Sequence, residues 1–578
     1  MIPRFDRRWL PCFSSLMLLA SYPCALQGAE KAQSPWHVED NVNDPELEGV
    51  TKRSTPYAPL AAIVGGGSLG EFTDVEIAQI ASTWSFVNSH GGMLDHHNPA
   101  AGTTVYWAGP SAGRDRHGRT IGERIKAINP AFVLSNYRNG SYIAQHSPHE
   151  AAEVEARLPL GISVWNTGVT LLEALDAEAS TVRVTRYPDI PTEPATREGR
   201  PDFYPWKKST TRERHSKNTR EYVAWLRVDD EVMRIDDIQV SASGVTLQVQ
   251  RGLWGTTAVG HAKGATLFQP IYIGRNTGID HGDNTLGGRP DDPSKQPGIR
   301  YALITAHPEM HRWLGDKAEL IFAEGYDVCW LDVSVSTWYN NANAYGDSVR
   351  PWNLAKGQLL TQDDYREWQQ LKNDALYARF PRGKFWINNV KGSVYFEDGN
   401  DRYQLSGENG HHPVDGGSME MYAATRGNEE AWKLTANMTL DFVSSGFSGV
   451  AWSKGRDVNG YRLFSYATYL LAYRPGAALY FAIGQEGSLL KKPRNLLYWD
   501  LGSPKQTFKK IEEAESKQVK GLYVRDFTKG KVVVNPGSSA KTIVFEQDYL
   551  DVATGQKVRR RELPRNSAAI LLLPEGGR

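Results

Sequence analysis

Residues 323–341 read AEGYDVCWLDVSVSTWYNN. Within them, YDVCWLDV is an unbroken apolar run with a glycine before it and polar residues after it, the pattern of a strand buried on both faces, as in a parallel sheet. Asp332 then stands at the C-terminal edge of that strand, where parallel α/β folds mount ligands and reacting groups. The flanking sequence repeats the rhythm. Upstream, LAAIV, FTDVEIAQIASTW, WSFVNS, TIGERIKAIN and AFVLSNY alternate strand and helix. Thr73 with Glu76 three residues on marks a capping box, and Pro130 stops the second helix. Downstream, a helix set up by Pro308 delivers YDVCWLDV. The strands KFWINN, SMEMYA, SGVAWS and AALYFAI follow, with helices such as DDYREWQQLKNDALYARF and NEEAWKLTANMTLDFVSSG between them. Eight parallel strands with intervening helices predict an α/β fold of the TIM (β/α)8 barrel type.

Two stretches break this rhythm. Residues 171–270 carry alternating apolar residues, short strands and glycine turns, which predicts a small inserted β-domain. The barrel is then split into residues 56–170 and 271–489. From 490 to 578 the chain again alternates, in LLYWD, GLYVRDFTKGKVVVNPG and KTIVFEQDYLDVATGQKV, and a C-terminal β-sandwich is expected. Residues 1–29 have Arg4, Arg7 and Arg8, then a short apolar segment, then small residues, which reads as a signal peptide and predicts export to the periplasm or medium. Arg7 and Arg8 weakly resemble a twin-arginine signal. Residues 30–55 are polar and charged, and read as a linker. No later segment is long and apolar enough to span a bilayer, so no integral span is expected after signal removal.

At 578 residues the chain exceeds what one core usually serves, and two or three domains are expected. Lys plus Arg and Asp plus Glu each number 66, so nothing in the charge argues for a nucleic acid partner or an acidic membrane. Aromatics reach 11%, with 17 Trp and 26 Tyr, which suits stacking on the flat apolar faces of sugar rings. Of three cysteines only Cys329 lies beyond the signal, and its apolar flanks mark it as a buried small residue rather than a nucleophile.

The motifs divide by context. GGGSLG, residues 65–70, satisfies both a dinucleotide pattern and a serine-elbow pattern, but the helix starts late for the first and the serine follows only the first strand. A tight turn at a barrel mouth fits better. Asp95, His96 and His97 follow the second strand; adjacent histidines diverge and no third ligand at regular spacing appears, so contacts to sugar hydroxyls are expected rather than a metal. PHEAAE, from Pro148, lacks the second histidine of a zinc protease. Asp332 and Glu420 both end apolar strands at the same barrel face. Acetal hydrolysis needs such a pair, one carboxylate to meet oxocarbenium-like charge and one acid to protonate the leaving oxygen. Trp338, Tyr339, Asn388, Tyr422 and Trp452 are expected to ring the pair as sugar subsites. Asn136, Lys391 and Lys454 are candidate donors that keep Asp332 ionised. No metal or cofactor is expected.

The segments GYDVCWLDV, SMEMYA, RLFSYATYLLAY and KVVVNPGSSAKTIVF…YLDVATGQKV…ELPRNSAAILL resemble a family of hypothetical glycosyl hydrolases with a TIM barrel and a C-terminal β-sandwich. More distantly they resemble the endo-α-1,4-polygalactosaminidase-like barrels. The resemblance covers about 56–165 and 275–575. It implies an Asp nucleophile ending strand four and a Glu acid further on, positions matched by Asp332 and Glu420, hence a retaining glycosidase acting on a carbohydrate. In the insert, VDDEVMRIDDIQ…VTLQVQRGLWGTTAVGHAKGA resembles a β-module that recurs in phage-tail and extracellular proteins. The rival readings are a carbohydrate-binding barrel without chemistry and, third, a dinucleotide oxidoreductase or serine esterase using residues 65–70.

Overall fold

The structure is a computed structural model that describes Leu47, Val50 and residues 52–65, 72–90, 115–144, 157–185, 224–270 except 242 and 243, 300–335, 351–396 except 389, 401–454 except 421 and 424–427, 460–484, and 489–574 except 491, 492 and 494. Eight parallel strands are hydrogen-bonded in chain order: β1 (Ala61–Gly65), β2 (Phe86–His90), β3 (Val133–Asn139), β4 (Val328–Asp332), β5 (Lys384–Asn388), β6 (Gly416–Glu420), β7 (Ser448–Ser453) and β8 (Leu479–Ile483). The last strand returns to the first. The Phe481 N–H donates to the Pro59 carbonyl at 3.0 Å, and Leu60 bridges Phe481 in parallel. The crossovers carry α1 (Asp74–Thr83), α2 (Ile121–Ile128), α3 (Pro308–Ala323), α4 (Gln362–Arg379), α5 (Glu429–Ser445) and α6 (Tyr461–Ala472), with short helices Gly392–Tyr395 and Asp401–Ser406 between β5 and β6. The chain forms the expected TIM barrel. No helix among the described residues is long and apolar enough to cross a membrane.

Local signals start the helices where the sequence put them. The Thr73 hydroxyl accepts from the Glu76 N–H at 3.3 Å while the Glu76 carboxylate accepts from the Thr73 N–H at 2.8 Å. Thr120 with Glu123 and Thr361 with Asp364 repeat this box on α2 and α4. Each box satisfies orphan donors of the first helical turn and contributes roughly 1 kcal/mol.

The core has two layers because each strand is buried on both faces. In β4, Val328 and Trp330 point to the barrel axis, while Cys329 and Leu331 face the helices. The axial layer is aromatic: Phe86 stacks on Trp386 with centroids 5.0 Å apart, and Trp330 and Tyr480 lean on both. Room for these rings comes from Gly416, where an added Cβ would lie 2.8 Å from the Trp386 ring and 2.5 Å from the Ser448 carbonyl.

Between β3 and α3 the chain builds a six-stranded sheet with antiparallel pairings, from strands Val164–Thr170, Thr181–Val184, Ala224–Val228, Glu231–Ser241, Gly244–Leu253 and Thr266–Pro270, over its own apolar cluster. Its sequence motif converges on one buried carboxylate. Glu231 takes Arg251 in a two-pronged pair at 2.5 and 2.6 Å, His261 at 2.9 Å, and the N–H groups of Gly252 and Val259 at 3.0 and 3.1 Å. The other His261 nitrogen lies 2.7 Å from Asp229. Val232 and Trp254 of this unit join the barrel's outer core layer. The C-terminal strands Tyr523–Phe527, Gly530–Asn535, Lys541–Asp551, Lys557–Leu563 and Ser567–Leu572 form a five-stranded antiparallel sheet. One face packs on the barrel helices, where Arg525 donates to the Leu470, Leu471 and Tyr473 carbonyls at the end of α6, and the other closes over a second apolar cluster.

Candidate active site

Three strands carry Trp at an axial position and a polar residue two places later at the mouth: Trp330 and Asp332, Trp386 and Asn388, Trp452 and Lys454. Period-two alternation gives each pair the same direction, so burying the tryptophan in the barrel aims the polar group at the axis. On β6, Gly416, Ser418 and Glu420 share that side. Asp332, Asn388, Glu420 and Lys454 therefore converge at the C-terminal end of the barrel, where its axis opens.

Their hydrogen bonds link them into one array. The Asn388 amide donates to Asp332 Oδ1 at 2.7 Å and to Glu420 Oε2 at 3.0 Å, and its carbonyl accepts from the Ser418 hydroxyl. Ser418 thus fixes which way the amide points. Tyr137 on β3 donates its hydroxyl to Asp332 Oδ2 at 2.6 Å, and the Val333 N–H donates to Oδ1 at 2.9 Å. Lys454 forms an ion pair with the other Glu420 oxygen; their side chains are 16% and 17% exposed, well short of a surface pair. The Lys454 ammonium also sits 4.7 Å from the Trp452 ring centroid.

The backbone behind Asp332 is strained. Val333 has φ 55°, a left-handed conformation that a β-branched residue rarely adopts and that costs about 1–3 kcal/mol. It is held by the Ser141 hydroxyl, which donates to the Val333 carbonyl at 2.6 Å, and by the Gly140 N–H on the Asp332 carbonyl at 2.9 Å. The turn aims the Val333 N–H back at the carboxylate. Ala423, three residues past Glu420, also has φ 55°.

Burial raises the Asp332 carboxyl above its ordinary range, and the charge of Glu420 adds to this, while Tyr137, Asn388 and Lys454 oppose the rise. Burial lowers the Lys391 ammonium, against the pull of Glu420 and Asp401. Lys391 immediately precedes the short helix Gly392–Tyr395.

No family model and no curated protein matches the chain. Among solved structures, a family GH13_31 enzyme aligns over 89% of this chain and 98% of its own, at 10% identity and a TM-score of 0.35. An Anoxybacillus alpha-amylase aligns over 49% and 66%, at 13% identity and a TM-score of 0.26. The glycoside hydrolase domain of PelA from Pseudomonas aeruginosa aligns over 34% and 66%, at 14% identity and a TM-score of 0.21. The chain spans about two thirds of the amylase and of the PelA domain. Likenesses this distant decide neither the fold nor the chemistry of this chain.

Of the residues expected at the site, Asp332, Glu420, Asn388 and Lys454 are brought together, and Lys391 lies within electrostatic reach of Glu420. Lys454 pairs with Glu420 rather than with Asp332. Trp452 is buried beneath the mouth, its indole N–H donating to the Gly484 carbonyl at 2.6 Å, so it supports Lys454 instead of offering a stacking face. Tyr422 and Asn136 point the other way. Tyr422 is buried in the outer layer, where the Thr439 hydroxyl of α5 donates to its oxygen at 3.2 Å. Asn136 has the opposite parity to Tyr137 and is buried on the helix side. Asp95, His96, His97, Trp338 and Tyr339, like residues 66–70 and the histidine of PHEAAE, lie outside the described residues. Tyr137, which the sequence reading passed over, pairs in register with Trp330 and so shares its axial direction, a register that only the folded sheet displays.

Proposed function

We propose that the chain is an exported retaining glycoside hydrolase. Asp332 attacks the anomeric carbon, and Glu420 protonates the departing glycosidic oxygen. Glu420 then takes a proton from water, which displaces Asp332 from the covalent glycosyl intermediate. The observation that supports this reading is the shared donor Asn388. Its two bonds keep the facing oxygens, Asp332 Oδ1 and Glu420 Oε2, within about 6 Å of each other, which suits the short carboxyl separation of a retaining site. The donors on Asp332, namely Tyr137, Asn388 and the Val333 N–H, hold its oxygens as acceptors in a fixed orientation, as an attacking carboxylate requires.

A second assignment of roles is favoured by the electrostatics. Asp332 is the carboxyl whose proton affinity is raised, and Glu420 is the one paired with a lysine, which suits Glu420 as nucleophile and Asp332 as acid. A mixed-polysaccharide digest, run beside Asp332→Asn protein, tests the activity; equal digestion by both removes the pair from catalysis. With the sugar known, a slow 2-fluoro glycoside separates the two assignments, because peptide mapping finds the ester on Asp332 or on Glu420. Loss of the anomeric configuration in the product would end both. A carbohydrate-binding barrel without chemistry would retain glycans and release nothing.

A further inference from the structure

The buried stripe of α4 is polar where a core-facing stripe is ordinarily apolar. Tyr365, Gln369, Lys372 and Asn373 recur at i, i+4, i+7 and i+8, one face of the helix, and all four are buried. Burying such groups is costly unless they are hydrogen-bonded, and here the bonds run in one direction, toward the turn after Asp332. The Lys372 ammonium donates to Gln369 Oε1 at 2.6 Å. An ammonium only donates, so it keeps the Gln369 carbonyl on its own side and leaves the amide hydrogens for Ser141 Oγ at 3.0 Å and the Tyr365 hydroxyl at 2.7 Å. Tyr365 donates to the same Ser141 oxygen at 3.3 Å. Ser141 thus accepts from α4, and its single proton goes to the Val333 carbonyl. A second line ends one residue further on: the Asn373 amide donates to Gln404 Oε1 at 3.0 Å, and the Gln404 amide to the Ser334 carbonyl at 2.9 Å.

Val333 lies between two peptides that are both held. The one before it has its carbonyl on the Gly140 N–H and its own N–H on Asp332 Oδ1; the one after it has its carbonyl on Ser141. Fixing both planes fixes the left-handed φ, which a β-branched residue adopts only when held. We infer that Gln369 is a positioning residue for Asp332: through the Ser141 hydroxyl it holds the Val333 turn, and so keeps the Val333 N–H on the carboxylate. This rests on Asp332 being a reacting carboxyl, whether as nucleophile or as acid. The polar stripe of α4 then serves the barrel mouth, at a cost to the core it is buried in.

The test compares full-length Ser141→Ala, Gln369→Glu and the double variant with the unaltered protein. Glutamate still accepts from Lys372 but has no hydrogen for Ser141. Thr468→Val, which takes the acceptor from the buried Trp432 indole N–H, controls for lost stability alone. The readout is carbon-13 NMR of the aspartate side-chain carboxyls titrated with pH, the Asp332 signal being the one absent from Asp332→Asn protein. Its midpoint should move to higher pH in Ser141→Ala and in Gln369→Glu, because the ionised form has lost a donor, and should stay in place in Thr468→Val. The double variant should move no further than Ser141→Ala, because Gln369 acts through that hydroxyl. A midpoint unmoved in both single variants, an equal move in Thr468→Val, or a further move in the double variant overturns the inference. On a glycan that the unaltered protein cleaves, each single variant should lose ~10–100-fold in kcat with KM within about twofold. A midpoint that moves as described in a protein that cleaves no glycan leaves the positioning role standing and removes the hydrolase reading. Cleavage at full rate by both single variants, with the midpoint unmoved, does the reverse.

Discussion

Asp332 costs the fold something that asparagine would not. Burial and the Glu420 charge raise its carboxyl above the ordinary range, so the folded protein holds that proton more tightly than the unfolded chain does. The protonated form's stabilisation is complete below the unfolded value of about 3.9 and declines as pH rises through the window up to the raised folded value. Asp332→Asn is therefore expected to raise Tm at neutral pH, by an amount that shrinks toward about pH 4, in thermal scans across that range. A pH-independent shift would show that charge burial is not the cause. Tyr137→Phe removes one donor from the same carboxylate. If Asp332 is the nucleophile, kcat should fall by about 10²-fold, and the acid limb of kcat/KM should move to higher pH. Cys329, on the outer face of β4, has its thiol pushed up to about 12 by burial. Thiol reagents should leave it unlabelled until the protein is unfolded.

At the scale of elements, the mouth array depends on how closely the strands beneath it approach. Gly416→Ala would press a methyl against the Trp386 ring and the Ser448 carbonyl, and neither is the free end of a flexible side chain. A loss of about 1–3 kcal/mol is expected in urea titration, with reduced kcat because Asn388 lies two residues beyond Trp386 on the displaced strand. The capping box at Thr73 and the strand ends were readable from the sequence because they depend on residues within a few places of one another. The direction of Trp452 and Tyr422 was not. Both lie beside strand ends in polar company, and only the packing of α5 and of the barrel interior shows each to be buried.

At the scale of the molecule, the insert's motif reads as a staple rather than as a second site. Glu231 is fully buried, and each of its oxygens is already satisfied by Arg251, His261 or backbone N–H groups. Glu231→Ala would leave Arg251 without its carboxylate, at a cost of about 3–5 kcal/mol. Hydrogen exchange should then show lost protection across 224–270 and little change in β4 to β8. Equal loss in both would mean that insert and barrel unfold as one unit, tied through Val232 and Trp254.

What this sequence determined by itself is whatever rests on short-range physics. Short apolar runs bounded by glycine and polar residues suit interior parallel strands, Thr-x-x-Glu starts a helix, and an acid that ends such a run stands at the C-terminal edge of the sheet. Those features yielded the barrel and the Asp332 and Glu420 pair. The tertiary structure decided partners. That Asn388 bridges the two acids, that Lys454 goes to Glu420, that Tyr137 reaches Asp332 and that Asn136 turns away follow from the register between strands up to some hundreds of residues apart. A one-residue slip in that register reverses every side chain on a strand, and nothing local to the strand encodes it.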